Sequence, residues 1–154
     1  MASLHLEAVP RTFRGDGFRH LAAQRFEEFD LSSRRQFLRI NAAGPDGKGL
    51  PVTRHDPSDT PVQGAEHPLA YTAYTDPSGV FTVGVWACDA GTLRIEDLAI
   101  DEACYLIEGE VIITDQHGNT ERFVAGEAFL LERGFVGTWH MPRPILKYNA
   151  MFRR

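Results

Sequence analysis

From residue 69 to residue 152 the apolar residues of this 154-residue chain recur with a period of two, in short runs broken by turn residues. A period of two sends alternate side chains to opposite faces of an extended strand, and it cannot line up one face of a helix. Runs at 69–74, 80–88, 91–98, 103–106, 110–114, 120–124, 128–132, 136–141 and 145–152 read as strands. Between them lie Asp76-Pro77-Ser78-Gly79, Glu108-Gly109, Asp115-Gln116-His117-Gly118-Asn119 and Ala125-Gly126. Proline presets φ in such turns and glycine supplies a positive φ without a steric penalty. Eight to ten short, evenly punctuated strands predict an all-β sandwich or barrel with antiparallel pairing.

The first 50 residues have a different period. Phe18, Leu21, Ala22, Phe26 and Phe29 share one face of a helix, and Asp16 stands where a carboxylate can accept the unpaired N–H groups of its first turn. A helix of three turns does not hold itself together in water, so this face must be buried against something. Residues 34–41 fit strand or helix equally. Gly44 to Gly49 is a loop, and residues 51–60, polar and proline-punctuated, read as an extended arm across a surface. The expected organisation is an N-terminal arm over 1–50 and one barrel domain over 51–154. A homodimer in which residues 1–50 form part of the interface would bury the aromatic face and cap exposed strand edges.

Composition narrows the partners. The chain has 16 basic and 21 acidic residues, a net charge of −5, which argues against a nucleic-acid partner. No apolar run approaches the length of a membrane span, and Glu7 and Arg11 interrupt any signal-peptide core, so the expected location is the cytoplasm. Cys88 and Cys104 are too few for a disulfide framework and are expected as reduced thiols.

Four blocks, in order and at natural spacing, carry a resemblance: Gly84-Val85-Trp86, Asp101 through Val111, Ala125 through Leu131, and Arg133 through Trp139, followed by Ile145-Leu146-Lys147-Tyr148. Residues 84–152 resemble the cupin superfamily, in particular the small-cupin branch that holds the C-terminal half of ethanolamine-utilisation Q proteins and relatives of ureidoglycine aminohydrolase. The resemblance implies a jelly-roll barrel closing around a pocket.

Many cupins bind a transition metal through two histidines spaced i, i+2 on a strand, a glutamate, and a third histidine on a later strand. Glu102, followed after six residues by Gly109, matches the glutamate. The histidine positions fall on Glu96, Leu98 and Gly137. Glutamate at the first position occurs in the aminohydrolase, so Glu96 and Glu102 are the ligands if a metal is present. Two carboxylates without imidazole or thiolate suit a transition metal poorly, and no cofactor is expected. His140 has the opposite strand parity to Gly137 and Trp139 and is expected to point outward. The missing side chain at Gly137 leaves room for the indole of Trp139.

Without a metal, the pocket candidates are Trp86, Glu96, Glu102, Cys104, Trp139 and Lys147. Each tryptophan serves equally as core or as an aromatic wall. Lys147 shares a face with Ile145, Asn149 and Met151. The opposite face is the more apolar, which favours a solvated lysine. A buried Glu102, however, needs a counter-charge, and the branch resemblance includes lysine at this position. Cys104 has the parity of Glu102 and is a nucleophile or a small buried apolar group. Three functions follow: a cupin binding a small polar metabolite without a transition metal, a metal-dependent enzyme of the aminohydrolase type, and a non-catalytic assembly or regulatory cupin.

Overall fold

The computed structural model describes residues 37–153. Residues Leu38–Arg154 form one compact unit. The helix expected over residues 18–29, and with it most of the 1–50 arm and its role in a dimer, lies outside the described residues. Phe37 to Ile40 have no regular structure.

Ten strands follow: β1 (Asp59–Gly64), β2 (Leu69–Thr75), β3 (Phe81–Cys88), β4 (Gly91–Ile95), β5 (Asp101–Glu108), β6 (Glu110–Asp115), β7 (Thr120–Val124), β8 (Ala128–Leu131), β9 (Gly137–Met141) and β10 (Ile145–Phe152). They pair antiparallel in two five-stranded sheets, ordered β1-β4-β9-β6-β7 and β2-β3-β10-β5-β8. The antiparallel all-β fold expected from the period of two, and the jelly roll that the resemblance implies, are therefore observed. Among the described residues no helix is long and apolar enough to cross a membrane.

One strand was not legible. Residues 51–60 were read as an arm, yet β1 begins at Asp59 and pairs with β4, with an irregularity between Pro61 and Gln63. Proline lacks the N–H a central strand needs, and β1 accommodates Pro61 because it is an edge strand. Residues before it are tied to the other sheet: Val52 bridges Leu69, and the Pro51 carbonyl accepts from Ala70 N–H at 3.0 Å. The segment thus spans from one sheet to the other across one mouth of the barrel.

The turns obey local chemistry. The Asp76 carboxylate accepts the N–H groups of Ser78 and Phe81 at 3.1 and 2.8 Å, which closes the β2–β3 hairpin and holds its carboxyl below the usual range, the Ser78 hydroxyl contributing most. Gly109 joins β5 to β6 at φ 85°, and a Cβ there would lie 2.4 Å from the Pro144 carbonyl. The core lies between the sheets: Leu93, Leu106, Val111, Trp139 and Met141 are all at most 2% exposed. Both cysteines are free thiols.

Candidate functional site

Register decides which residues of the long central strands face the interior. On β10, Lys147 lies opposite Trp86 of β3 and Leu106 of β5, while Asn149 lies opposite Gly84 and Cys104. Directly opposed residues share a face, so Trp86, Cys104, Leu106, Lys147 and Asn149 all point inward with Glu102. The apolar alternate face of β10, with Leu146 and Tyr148, is the outer one. The inner face of β10 instead carries Lys147 and Asn149, both buried.

Lys147 is 5% exposed. Its Nζ donates to Glu102 Oε1 at 2.8 Å and to Cys104 Sγ at 3.3 Å. Asn149 Nδ2 donates to the same Glu102 oxygen at 3.1 Å. Burial by itself favours the neutral amine. The Glu102 carboxylate outweighs it and holds the lysine charged, above its ordinary value, while the Cys104 sulfur accepts a further hydrogen bond. The ammonium also lies 4.6 Å from the ring centre of Trp139 and 5.2 Å from that of Trp86, within the range of cation–π attraction. The two indoles meet edge to face at 6.2 Å. Trp139 is nearly fully buried and Trp86 is half-buried, so the two roles weighed for them merge: each packs in the core and also walls a cavity.

That cavity has a volume of about 200 Å³. Glu102, Lys147 and Asn149 form its polar floor, and Leu93, Ile95 and Leu98 are among its aliphatic walls. Thr53, Arg54, Asp56 and Asp59, from the segment leading into β1, line it as well. A larger depression, of about 460 Å³, lies between β7, β8 and the 115–119 loop. It lacks the buried ionic network, and the interior cavity is the better candidate for chemistry.

Asp59 is the residue that sequence reasoning missed. Burial raises its carboxyl to about 6; the charge of Asp56 adds to this and that of Glu102 adds less, while Lys147 and a hydrogen bond from Ser58 oppose it. Nothing local marks Asp59 within a polar stretch, because its place is fixed by the pairing of β1 with β4. Asn149 was within reach, since it shares the parity of Lys147.

The remaining candidates separate. Cys104 is in the network, but burial pushes its thiol up to about 12, so it is a thiol and not a thiolate at neutral pH. Glu96 is not in the barrel. It follows β4 on the surface, with a 72% exposed side chain that pairs with Arg94 at 3.7 Å. It lies outside because Leu93 and Ile95 are the inward residues of β4, which gives Glu96 the outward parity; the left-handed φ of 55° at Asp97 then turns Leu98 back into the interior. Leu98 is buried and lines the cavity. His140 points outward, within 2.8 Å of Thr92 Oγ1.

Contrary to the expectation for Trp139, its indole does not take the space beside Gly137. A Cβ at Gly137 would lie 2.5 Å from the Phe135 ring and 2.2 Å from the Thr114 carbonyl. Phe135 fills the place where a third histidine would project. Among the described residues no group of three or more His, Cys, Asp or Glu is placed to hold a metal ion. Aliphatic, glycyl and surface residues at three motif positions, with an ammonium on the fourth, do not fit a transition metal.

Comparison with known proteins agrees with this architecture. Residues 75–148 match the family described as the EutQ-like cupin domain. Among solved structures, an ethanolamine utilization protein Q from Salmonella typhimurium LT2 is 20% identical with a TM-score of 0.55, covering 70% of this chain and 83% of that one. The EutQ protein of Clostridium difficile is 19% identical with a TM-score of 0.53, covering 69% and 82%. A protein of unknown function of the DUF861 family from Pseudomonas syringae pv. tomato is 19% identical with a TM-score of 0.57, covering 73% and 46%. At such identity the likeness is one of fold. No curated protein matches the sequence.

Proposed function

We propose that this chain, whose residues 75–148 match the EutQ-like cupin domain, binds a small polar metabolite inside the barrel without a transition metal. The observation that carries the reading is the Lys147 ammonium on Glu102, where many cupins hold a metal cation. A lysine there supplies a fixed positive charge without open coordination sites. It neutralises Glu102 and orients it through Oε1, and the indoles of Trp86 and Trp139 restrict water around the pair.

Two further observations support a ligand. Trp139 Nε1 and Asn149 Oδ1 are buried without a hydrogen-bond partner, and both residues line the cavity. Unpaired buried polar atoms are unfavourable, and a guest that pairs with them removes that penalty. The cavity volume suits a guest of a few heavy atoms. The aminohydrolase reading needs Glu96 in the barrel as a ligand, and Glu96 pairs with Arg94 on the surface.

Metal analysis of protein purified without chelators, run beside a thermal-shift screen of small polar metabolites, tests the proposal. The expected result is far less than one equivalent of Mn, Fe, Ni or Zn together with stabilisation by at least one class of small molecule. Stoichiometric metal that is lost in Glu102→Gln overturns it. Self-association remains part of the proposal. The outer face of the β2-β3-β10-β5-β8 sheet exposes Tyr74, Phe81, Tyr105 and Leu130, and light scattering on the full chain tests for the dimer.

A further inference from the structure

The charged residues around the cavity do not balance. Asp56, Asp59 and Glu102 face Arg54 and Lys147, which leaves one negative charge in excess. Lys147 is matched by Glu102 at 2.8 Å, and the hydrogen bonds from Lys147 and Asn149 both fall on Oε1. Neither of these falls on Glu102 Oε2, which keeps acceptor capacity. Asp59 accepts one hydrogen bond, from Ser58 Oγ to Oδ1 at 3.3 Å, and its Oδ2 is likewise open. Arg54 is exposed, on the segment that crosses the mouth. The cavity therefore has two carboxylate oxygens, from strands of opposite sheets, with acceptor capacity and no cation committed to them.

We propose that the cavity takes a small organic ammonium, an alkylamine in its protonated form, whose N–H donors reach the open oxygens of Asp59 and Glu102. The proposal rests on the reading that the barrel holds a small polar ligand, and it names the chemical class. A carboxylate guest would add to the excess negative charge beside Asp59. A neutral amide would leave that charge unmatched. An ammonium matches it, and its alkyl part lies against Leu93, Ile95 and Leu98.

A proton competes with such a ligand for Asp59. The groups facing this carboxyl are Asp56 and Ser58 on its own segment, Glu102 from β5 and Lys147 from β10. Burial first, then Asp56, raise its affinity for a proton, so it is protonated in part near pH 6. The ligand needs the ionised form. Its affinity is thus expected to be full above pH 7 and to fall about tenfold for each unit well below the midpoint.

The two tryptophans of the chain both line the cavity, so intrinsic fluorescence reads its occupancy. Full-length protein is titrated with propylammonium, propionate and propionamide, three probes of similar size, at matched ionic strength and at pH 7.5 and pH 5. Propylammonium is expected to give a saturable change that weakens about tenfold or more at pH 5. Asp59→Asn is expected to weaken it at pH 7.5 and to abolish the pH dependence. Saturation by propionate or propionamide in place of propylammonium overturns the ammonium assignment and leaves the ligand-binding barrel standing. Propylammonium binding that Asp59→Asn does not change overturns the role of Asp59. Silence from all three probes at both pH values overturns the ligand-binding reading and this inference with it.

Discussion

The two inner faces of the barrel enclose one interior with opposite chemistry. From β5 and β10 come Glu102, Cys104, Lys147 and Asn149, joined by hydrogen bonds. From β4, β6 and β9 come Leu93, Ile95, Val111, Ile113, Trp139 and Met141, a face of hydrocarbon with the indole N–H of Trp139, and Asp59 stands at its edge on β1. Replacing a buried ion pair by apolar residues of similar volume is often neutral or stabilising. The charged face is therefore a poor source of stability in itself, and under the proposed function its chemistry serves a guest.

The comparison breaks most readily at Lys147. Lys147→Met leaves Glu102 with a hydrogen bond from Asn149 and no cation, and is expected to cost about 3–5 kcal/mol in urea unfolding at pH 7.5. Lys147→Met combined with Glu102→Leu should recover most of that loss. If the single variant loses less than about 1 kcal/mol, water reaches the pair and the charged face is not a dry network.

On the opposite face the expected loss has another origin. Leu93→Ala removes a fully buried side chain beside the cavity and should cost about 3 kcal/mol, through lost burial and the void left behind. No second substitution of a charged residue should rescue it. Rescue by a change at Glu102 or Lys147 would show that the two faces are energetically coupled rather than distinct.

Asp59 lies at the seam of the two faces, and its sign is opposite. Its folded value, about 6, lies above the ordinary 3.8, so its contribution to stability is fully present below pH 3.8 and is lost as pH rises through about 6. Asp59→Asn should therefore leave stability unchanged in acid and raise it at pH 7.5, on the order of 2 kcal/mol after allowance for partial exposure. Thermal denaturation of both proteins from pH 4 to 8 measures the difference. A variant less stable than the parent at pH 7.5 would contradict the unfavourable burial of this carboxylate.

The smallest effect belongs to Glu96. Its partner Arg94 lies at 3.7 Å and both are well exposed, so Glu96→Gln should shift stability by less than about 0.5 kcal/mol. Ligand response in the fluorescence titration should be unchanged. A loss of metal or ligand in this variant would return Glu96 to the barrel.

Much of this molecule is legible in one dimension. The period of two, with turn residues between runs, determines the strands from β2 onward, because strand geometry sends alternate residues to opposite faces whatever the neighbours. Parity also places Glu102 and Cys104 on one face and His140 opposite Trp139. Parity does not say which face is inside. For β10 the more apolar face lies outside, and only pairing with β3 and β5 put Lys147 beneath the two indoles. Counting residues from a motif placed Glu96 in the barrel, yet Leu93 and Ile95 are the inward residues of β4 and leave Glu96 the outward parity. Phe135 occupies the space beside Gly137, and no spacing rule foretells that. Asp59 enters the cavity through an edge strand whose proline hid it. Local chemistry determined where the chain extends and turns. Long-range pairing decided which charges meet, because the energy of a buried charge depends on partners distant in sequence that only the closed barrel brings within a few ångströms.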